Sequence, residues 1–236
     1  MTDHDHETDD DHETPADGFD ADAADGPDAV PAAADPSRID PAAPDEFGLL
    51  QCWYGPGKGK TTAALGMAMR AAGRGYRVHV LQFMKGGARS VGLARGEYAA
   101  MAAIPGLSVE PTGAMGWHRG RTDDEHAARA RAALDRAREV AGASVGSGSI
   151  PLDAPPDAGV HMLVLDEIGY ALNRSLIDAD AVATLLEDAP DDLEVVATGG
   201  HDRPDAIADR ADLVSQVAKE AHPFDDGVSA RLGTEY

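Results

Sequence analysis

From residue 47 onward, short apolar runs alternate with stretches whose apolar positions recur at helical spacing. The run "LLQCWY" (49–54) reads as a strand, and "KTTAALGMAMRAAG" (60–73) as a helix with Gly73 placed as its C′ residue. "YRVHVLQF" (76–83) gives a second strand and "LSVEPTG" (107–113) a short third one. Thr122 and Glu125 form a capping box ahead of an Ala- and Arg-rich helix running to Ala141. A Gly/Ser/Pro stretch, 142–159, is expected to be an exposed, mobile loop. "HMLVLDEIG" (161–169) is a strongly apolar strand ending in two carboxylates. Asp178 or Asp180 opens another helix, to about residue 188, and "LEVVATGG" (193–200) is a further buried strand. A short helix over 204–210 precedes "ADLVSQV" (211–217), expected as an edge strand.

Apolar strands separated by helices predict an α/β protein, a mostly parallel sheet with helices on both faces. The first 46 residues differ: they hold 16 Asp/Glu against one Arg38, and DHET occurs twice. Such a segment has too little apolar surface to offset its ordering entropy, so 1–46 is expected to be a disordered acidic tail and 47–236 a single domain. His4, His6 and His12 lie in that tail, where a solvated acidic segment needs no metal to explain it.

The formal charge of the chain is −22, and only four lysines are present, at 58, 60, 85 and 219. Two of them lie in one glycine-rich stretch, which points to chemistry. An acidic surface whose cations are mostly Arg suits a salt-rich cytoplasm, where repulsion is screened, and it argues against nucleic-acid binding. The single cysteine, Cys52, excludes an internal disulfide and sits in an apolar run as a small buried side chain. No segment approaches 18 consecutive apolar residues, and the acidic start is unlike a signal peptide, so a cytoplasmic protein without a membrane span is expected.

The stretch "YGPGKGKTTAALG" (54–66) sits between the first strand and the first helix. The usual phosphate-binding loop, G-x-x-x-x-G-K-[ST], would place its first glycine at Tyr54, but the glycine stands one place later, at Gly55. Gly55, Gly57 and Gly59 are expected to let backbone N–H groups approach a phosphate, aided by the helix N-terminus beginning at Lys60. Lys60 would neutralise phosphate charge and the Thr61 hydroxyl would coordinate Mg²⁺. Asp166 and Glu167, at the end of a buried strand, are the expected carboxylate partners of that metal.

In these residues the chain resembles the P-loop ATP:corrinoid adenosyltransferases, whose loop reads G-x-G-K-G-K-T-T-A-A. Here that is Gly55, Pro56, Gly57, Lys58, Gly59, Lys60, Thr61, Thr62, Ala63 and Ala64, so the shortened glycine spacing is a mark of the family. The likeness continues through "ALGMAMRAAGRGYRVHVLQFMKG" (64–86), "VLDEI" (164–168), "TGG" (198–200), "ADLV" (211–214) and "HPFDDGVSARLGTEY" (222–236). It implies a P-loop NTPase-like (RecA-like) fold and transfer of the 5′-deoxyadenosyl group of ATP to Co(I) of a reduced corrinoid, with triphosphate as the leaving group. It further implies an ATP site of residues 55–62 with Arg70, catalytic roles for Lys60, Thr61 and Glu167, and a metal held by Thr61, Asp166 and Glu167. Met115, Trp117 and His222 would face the corrinoid, an electron-donating reductase or flavoprotein would supply Co(I), and the enzyme would be a homodimer. Pro56 replaces the Asn common inside the loop, and Gly200 the Arg expected after Thr198 and Gly199, with Arg203 a possible substitute. The rival readings are a P-loop ATPase or nucleoside kinase of RecA-like fold, which keep the longer loop, and a regulator that has lost catalysis.

Overall fold

Five-residue apolar segments with both faces hydrophobic have to be covered on both sides, and the computed structural model arranges them so; it describes residues 47–85, 96–113, 123–144, 148–231 and 233–234. The strands are β1 (Leu50–Tyr54), β2 (Val78–Gln82), β3 (Leu107–Pro111), β4 (Met162–Asp166), β5 (Glu194–Thr198) and β6 (Leu213–Gln216). They form one sheet in the order β3-β2-β4-β5-β1-β6, with every pairing parallel. The helices are α1 (Lys60–Gly73), α2 (Gly96–Ala102), α3 (Asp123–Ala143), α4 (Ile168–Asn173), α5 (Ala179–Glu187) and α6 (Asp205–Ala208).

Alternation along each strand divides the core in two. On one side Leu81, Leu163, Leu165, Val195 and Ala197 pack with α3, α5 and α6. On the other, Val78, Val80, Met162, Val164 and Val196 pack with α1 and α2. The inner face of α1 is Ala64, Ala68, Ala71 and Ala72, all buried, and these small side chains let the helix lie close to the sheet. Each fully buried Leu or Val contributes about 1.5–3 kcal/mol relative to exposure. This is the P-loop NTPase-like α/β arrangement.

Several boundaries differ from the sequence expectation for local reasons. Gly73 is the last residue of α1, not its C′ residue; that position is Gly75, at φ +90°, and Tyr76 N–H donates back to Ala71 O. Asp178 is the cap of α5, its Oδ1 accepting from the N–H groups of Asp180 and Ala181. Helices α2 and α4 were not foreseen: each is under two full turns and gains its stability from packing. The described part of 142–159 is anchored, not free. Ile150 is buried, His161 Nε2 contacts Gly148 O, and the Arg77 guanidinium donates to Ala154 O. Residues 1–46, Met115, Trp117 and the capping residue Thr122 lie outside the described residues. Among the described residues no helix is long and apolar enough to cross a membrane.

Candidate active site

Because the sheet is parallel, the C-terminal ends of its strands share one edge, and four of them build the site. Gln82 at the end of β2 is in register with Asp166 at the end of β4, and Trp53 of β1 with Thr198 at the end of β5. Asp166 is fully buried and takes two donors on each oxygen. Thr61 Oγ1 and Thr198 Oγ1 donate to Oδ1 at 2.8 and 2.7 Å, while Gln82 Nε2 and Lys85 Nζ donate to Oδ2 at 3.0 and 2.9 Å. Burial alone would raise its pKa, but the Lys85 charge and these hydrogen bonds outweigh it and hold the carboxyl below the usual range. Tyr98 OH in turn donates to Gln82 Oε1 at 2.5 Å.

Glu167 behaves in the opposite way. Burial, reinforced by the adjoining Asp166 charge, pushes its carboxyl above the usual range despite Lys85 and Lys60. Its backbone is left-handed, φ 66° and ψ 16°, a conformation costing a non-glycine residue about 1–2 kcal/mol. The turn is held by Glu167 N–H donating to Thr198 Oγ1 at 3.1 Å and by Ala171 N–H donating to Glu167 O. It turns the half-buried Glu167 toward two adjoining clefts, which it lines, while Asp166 stays behind. Gly199 makes room for this turn: a Cβ there would lie 2.7 Å from Glu167 Cα.

The three loop glycines do three different things. A Cβ on Gly55 would meet Val217 O at 2.5 Å, and one on Gly57 would meet Ala218 O at 2.3 Å, so both are demanded by the chain after β6. Their N–H groups are also spent, Gly55 on Gly200 O at 2.9 Å and Gly57 on Val217 O at 2.8 Å. The expectation that all the loop N–H groups face a phosphate is therefore corrected for these two. Gly59 has open space around it and is glycine because its φ is +107°. The N–H groups of Lys60, Thr61 and Thr62 open α1 and have no acceptor within the helix. Lys60 Nζ donates to Gly55 O and Gly57 O at 2.7 and 2.9 Å, closing the loop on itself, and retains one N–H. Burial pulls its pKa below the usual lysine range, with Glu167 and Asp166 opposing.

The larger cleft, about 980 Å³, runs along Pro56–Thr62 and over Leu65, Met69, Met101 and Ile104. The smaller, about 270 Å³, is bounded by Met84, Tyr170, Gly200 and His201, and both share Lys60, Lys85 and Glu167. Arg70 is exposed in the last turn of α1, some 15 Å along the helix from Lys60, and borders neither cleft. His222 caps a 3-10 turn, accepting from Phe224 N–H at 3.0 Å, and likewise borders neither. Gly200 adopts φ +82°, which strains any side chain, and a Cβ there would lie 3.0 Å from Gly169 O, so an arginine at this position conflicts with the backbone. Arg203 is engaged by Asp205 and Asp209 on the surface.

Lys85, Gln82, Thr198 and His201 went unassigned in the sequence. The scarcity of lysine was a usable signal for Lys85, since three of the four lysines in the chain border the larger cleft. Thr198 and Gln82 fall in segments that resemble the family, but no local pattern ties them to Asp166, which they reach only through strand register.

Comparison with known proteins agrees with this geometry. The sequence pattern of the family described as ATP:corrinoid adenosyltransferase BtuR/CobO/CobP matches residues 46–236. The corrinoid adenosyltransferase of Pseudomonas aeruginosa is 33% identical over 195 residues, covering 81% of this chain and 85% of that protein. The corrinoid adenosyltransferase of Escherichia coli strain K12 is 32% identical over 199 residues, covering 82% and 88%. A Sinorhizobium corrinoid adenosyltransferase is 35% identical over 193 residues, covering 81% and 82%.

Proposed function

The chain belongs to the ATP:corrinoid adenosyltransferase family, and from that membership we propose that it transfers the 5′-deoxyadenosyl group of ATP to Co(I) of a reduced corrinoid. The electron pair of Co(I) attacks C5′, the C5′–O bond breaks, a Co–C bond forms and triphosphate leaves. The observation that carries this reading is the shortened loop, Gly55 to Gly59, closing directly onto α1 opposite Glu167. A P-loop ATPase or kinase is not favoured, because both keep the longer loop.

No side chain has to act as nucleophile, since the corrinoid supplies it. The task of the protein is to align C5′ with cobalt and to stabilise the charge that develops on the departing triphosphate. The N–H groups of Gly59, Lys60, Thr61 and Thr62 and the ammonium groups of Lys58 and Lys60 serve the second task. Gly55, Pro56 and Gly57 shape the loop. Magnesium fits the donor set: Thr61 supplies a hydroxyl and Glu167 a carboxylate at the cleft, both hard oxygen donors. The raised Glu167 carboxyl is what a neighbouring cation would relieve. Asp166 acts behind them by holding Thr61, and would have to release a donor to bind metal itself. When bound, the ion adds positive charge beside the leaving group.

Met115 and Trp117 are assigned to the corrinoid side on the family resemblance. The reaction consumes Co(I), so a reductase or flavoprotein must deliver the electrons. The outer edge of β6, with Leu213 and Val214 each about two-fifths exposed, offers a face for a homodimer. The acidic composition and single buried cysteine suit a reducing, salt-rich cytoplasm. The test is anaerobic incubation in KCl with Mg·ATP and chemically reduced cobalamin or cobinamide. Adenosylcorrinoid with equimolar triphosphate is expected; ADP or orthophosphate with unchanged corrinoid would refute the reading.

A further inference from the structure

Lys85 follows β2, far from the glycine loop in sequence, yet its Nζ lies 2.9 Å from Asp166 Oδ2 and 3.2 Å from Thr61 Oγ1. Its side chain is 16% exposed and lines both clefts beside Lys60 and Glu167. We propose that Lys85 is a further member of the transfer site, its ammonium gripping the polyphosphate and taking up charge as triphosphate leaves. This rests on the transferase reading above and adds to it a residue outside the loop.

Three observations carry it. First, the two oxygens use two of the three ammonium protons, and the third remains available on the cleft side. Second, Asp166 already receives neutral hydrogen bonds from Thr61, Thr198 and Gln82, so what Lys85 alone contributes is a cation at the cleft wall. Third, the chain uses Arg almost everywhere else for positive charge, with four lysines in 236 residues. A lysine at this point puts a compact charge where a planar guanidinium fork would have to displace Thr61 or Asp166. Lys85 also touches Thr61 Oγ1, the hydroxyl that opens the phosphate end of α1, so an anion reaching Thr61 meets Lys85 as well.

The experiment measures binding of inorganic tripolyphosphate to the full chain by calorimetry at fixed KCl, for wild type and Lys85→Met, alongside adenosyl transfer. Loss of one charge-assisted contact should weaken tripolyphosphate binding about ten- to hundredfold and lower kcat, with the KM for corrinoid unchanged. Acetylation footprinting of the wild type gives a second readout that needs no variant to fold: tripolyphosphate should protect Lys85 as it protects Lys60. A counter-ion serving only Asp166 would leave Lys85 unprotected, and Lys85→Met would bind tripolyphosphate within twofold of wild type. Either result, with the wild type still releasing triphosphate, overturns the inference and leaves the transferase reading standing. A wild type that releases no triphosphate from ATP sinks that reading, and the role of Lys85 with it.

Discussion

Replacing Gly57 by Ala tests the finding that the loop glycines answer to different neighbours. The new Cβ would sit 2.3 Å from Ala218 O and 2.8 Å from Val217 O, both backbone atoms that no rotamer change can move. Reaching the 3.0 Å that real Cβ atoms respect requires the loop and the segment after β6 to part by at least about 0.7 Å. That shift strains a packed contact, costing about 1–3 kcal/mol. It also stretches the Gly57 N–H to Val217 O bond, now 2.8 Å, whose loss costs about 0.5–1.5 kcal/mol. Gly57→Ala should therefore lose about 1.5–4.5 kcal/mol. Gly59→Ala meets nothing within 4 Å and pays only for its positive φ, about 1–3 kcal/mol. Gly66→Ala lies inside α1 with open space around it and should gain up to about 1 kcal/mol from helix propensity. Urea unfolding of the full chain at one KCl concentration, with midpoints and slopes compared, gives the order. Equal midpoints for Gly57→Ala and Gly66→Ala would refute the backbone-contact argument.

Thr198→Val removes a donor to Asp166 and the acceptor of Glu167 N–H, and should cost about 1–3 kcal/mol, whereas Thr198→Ser should stay near wild type; urea midpoints that match for Val and Ser would count against the network. Burial, then the Arg136 and Arg77 charges, pull the His79 imidazole down to about 4, with Asp157 opposing. The unfolded chain thus binds the proton first, and the stability from neutral His79 is present above about pH 6.5 and lost as pH falls through about 4, on the order of 3 kcal/mol. His79→Asn, which keeps a polar group toward Ser108, should flatten that part of the stability profile, and an unchanged slope between pH 7 and 4 would contradict it. With a net charge of −22, thermal stability should rise between low and molar KCl; a midpoint indifferent to salt would remove the case for a salt-adapted surface.

What the sequence determined by itself was local. Apolar residues at helical spacing after the glycine loop specified α1, an aspartate at 178 or 180 marked the start of α5, and a continuous apolar run specified β4 with its terminal carboxylates. These depend on residues within one or two turns, where propensity and capping act. The shortened loop was also legible, because its spacing is a property of the chain.

The division of labour at the strand edge was not legible. Asp166 and Glu167 are neighbours in sequence and are both expected as partners of one metal; one is fully buried under four donors and the other lines the clefts. The difference arises from a left-handed turn for which Gly199, just after β5, leaves room. Likewise the reason for glycine at 55 and 57 lies at Val217 and Ala218, and Lys85 becomes a site residue only when β2 is laid beside β4. Strand order and register bring these residues together, and neither is encoded in any local stretch: only the tertiary structure decided which carboxylate meets solvent and which lysines converge.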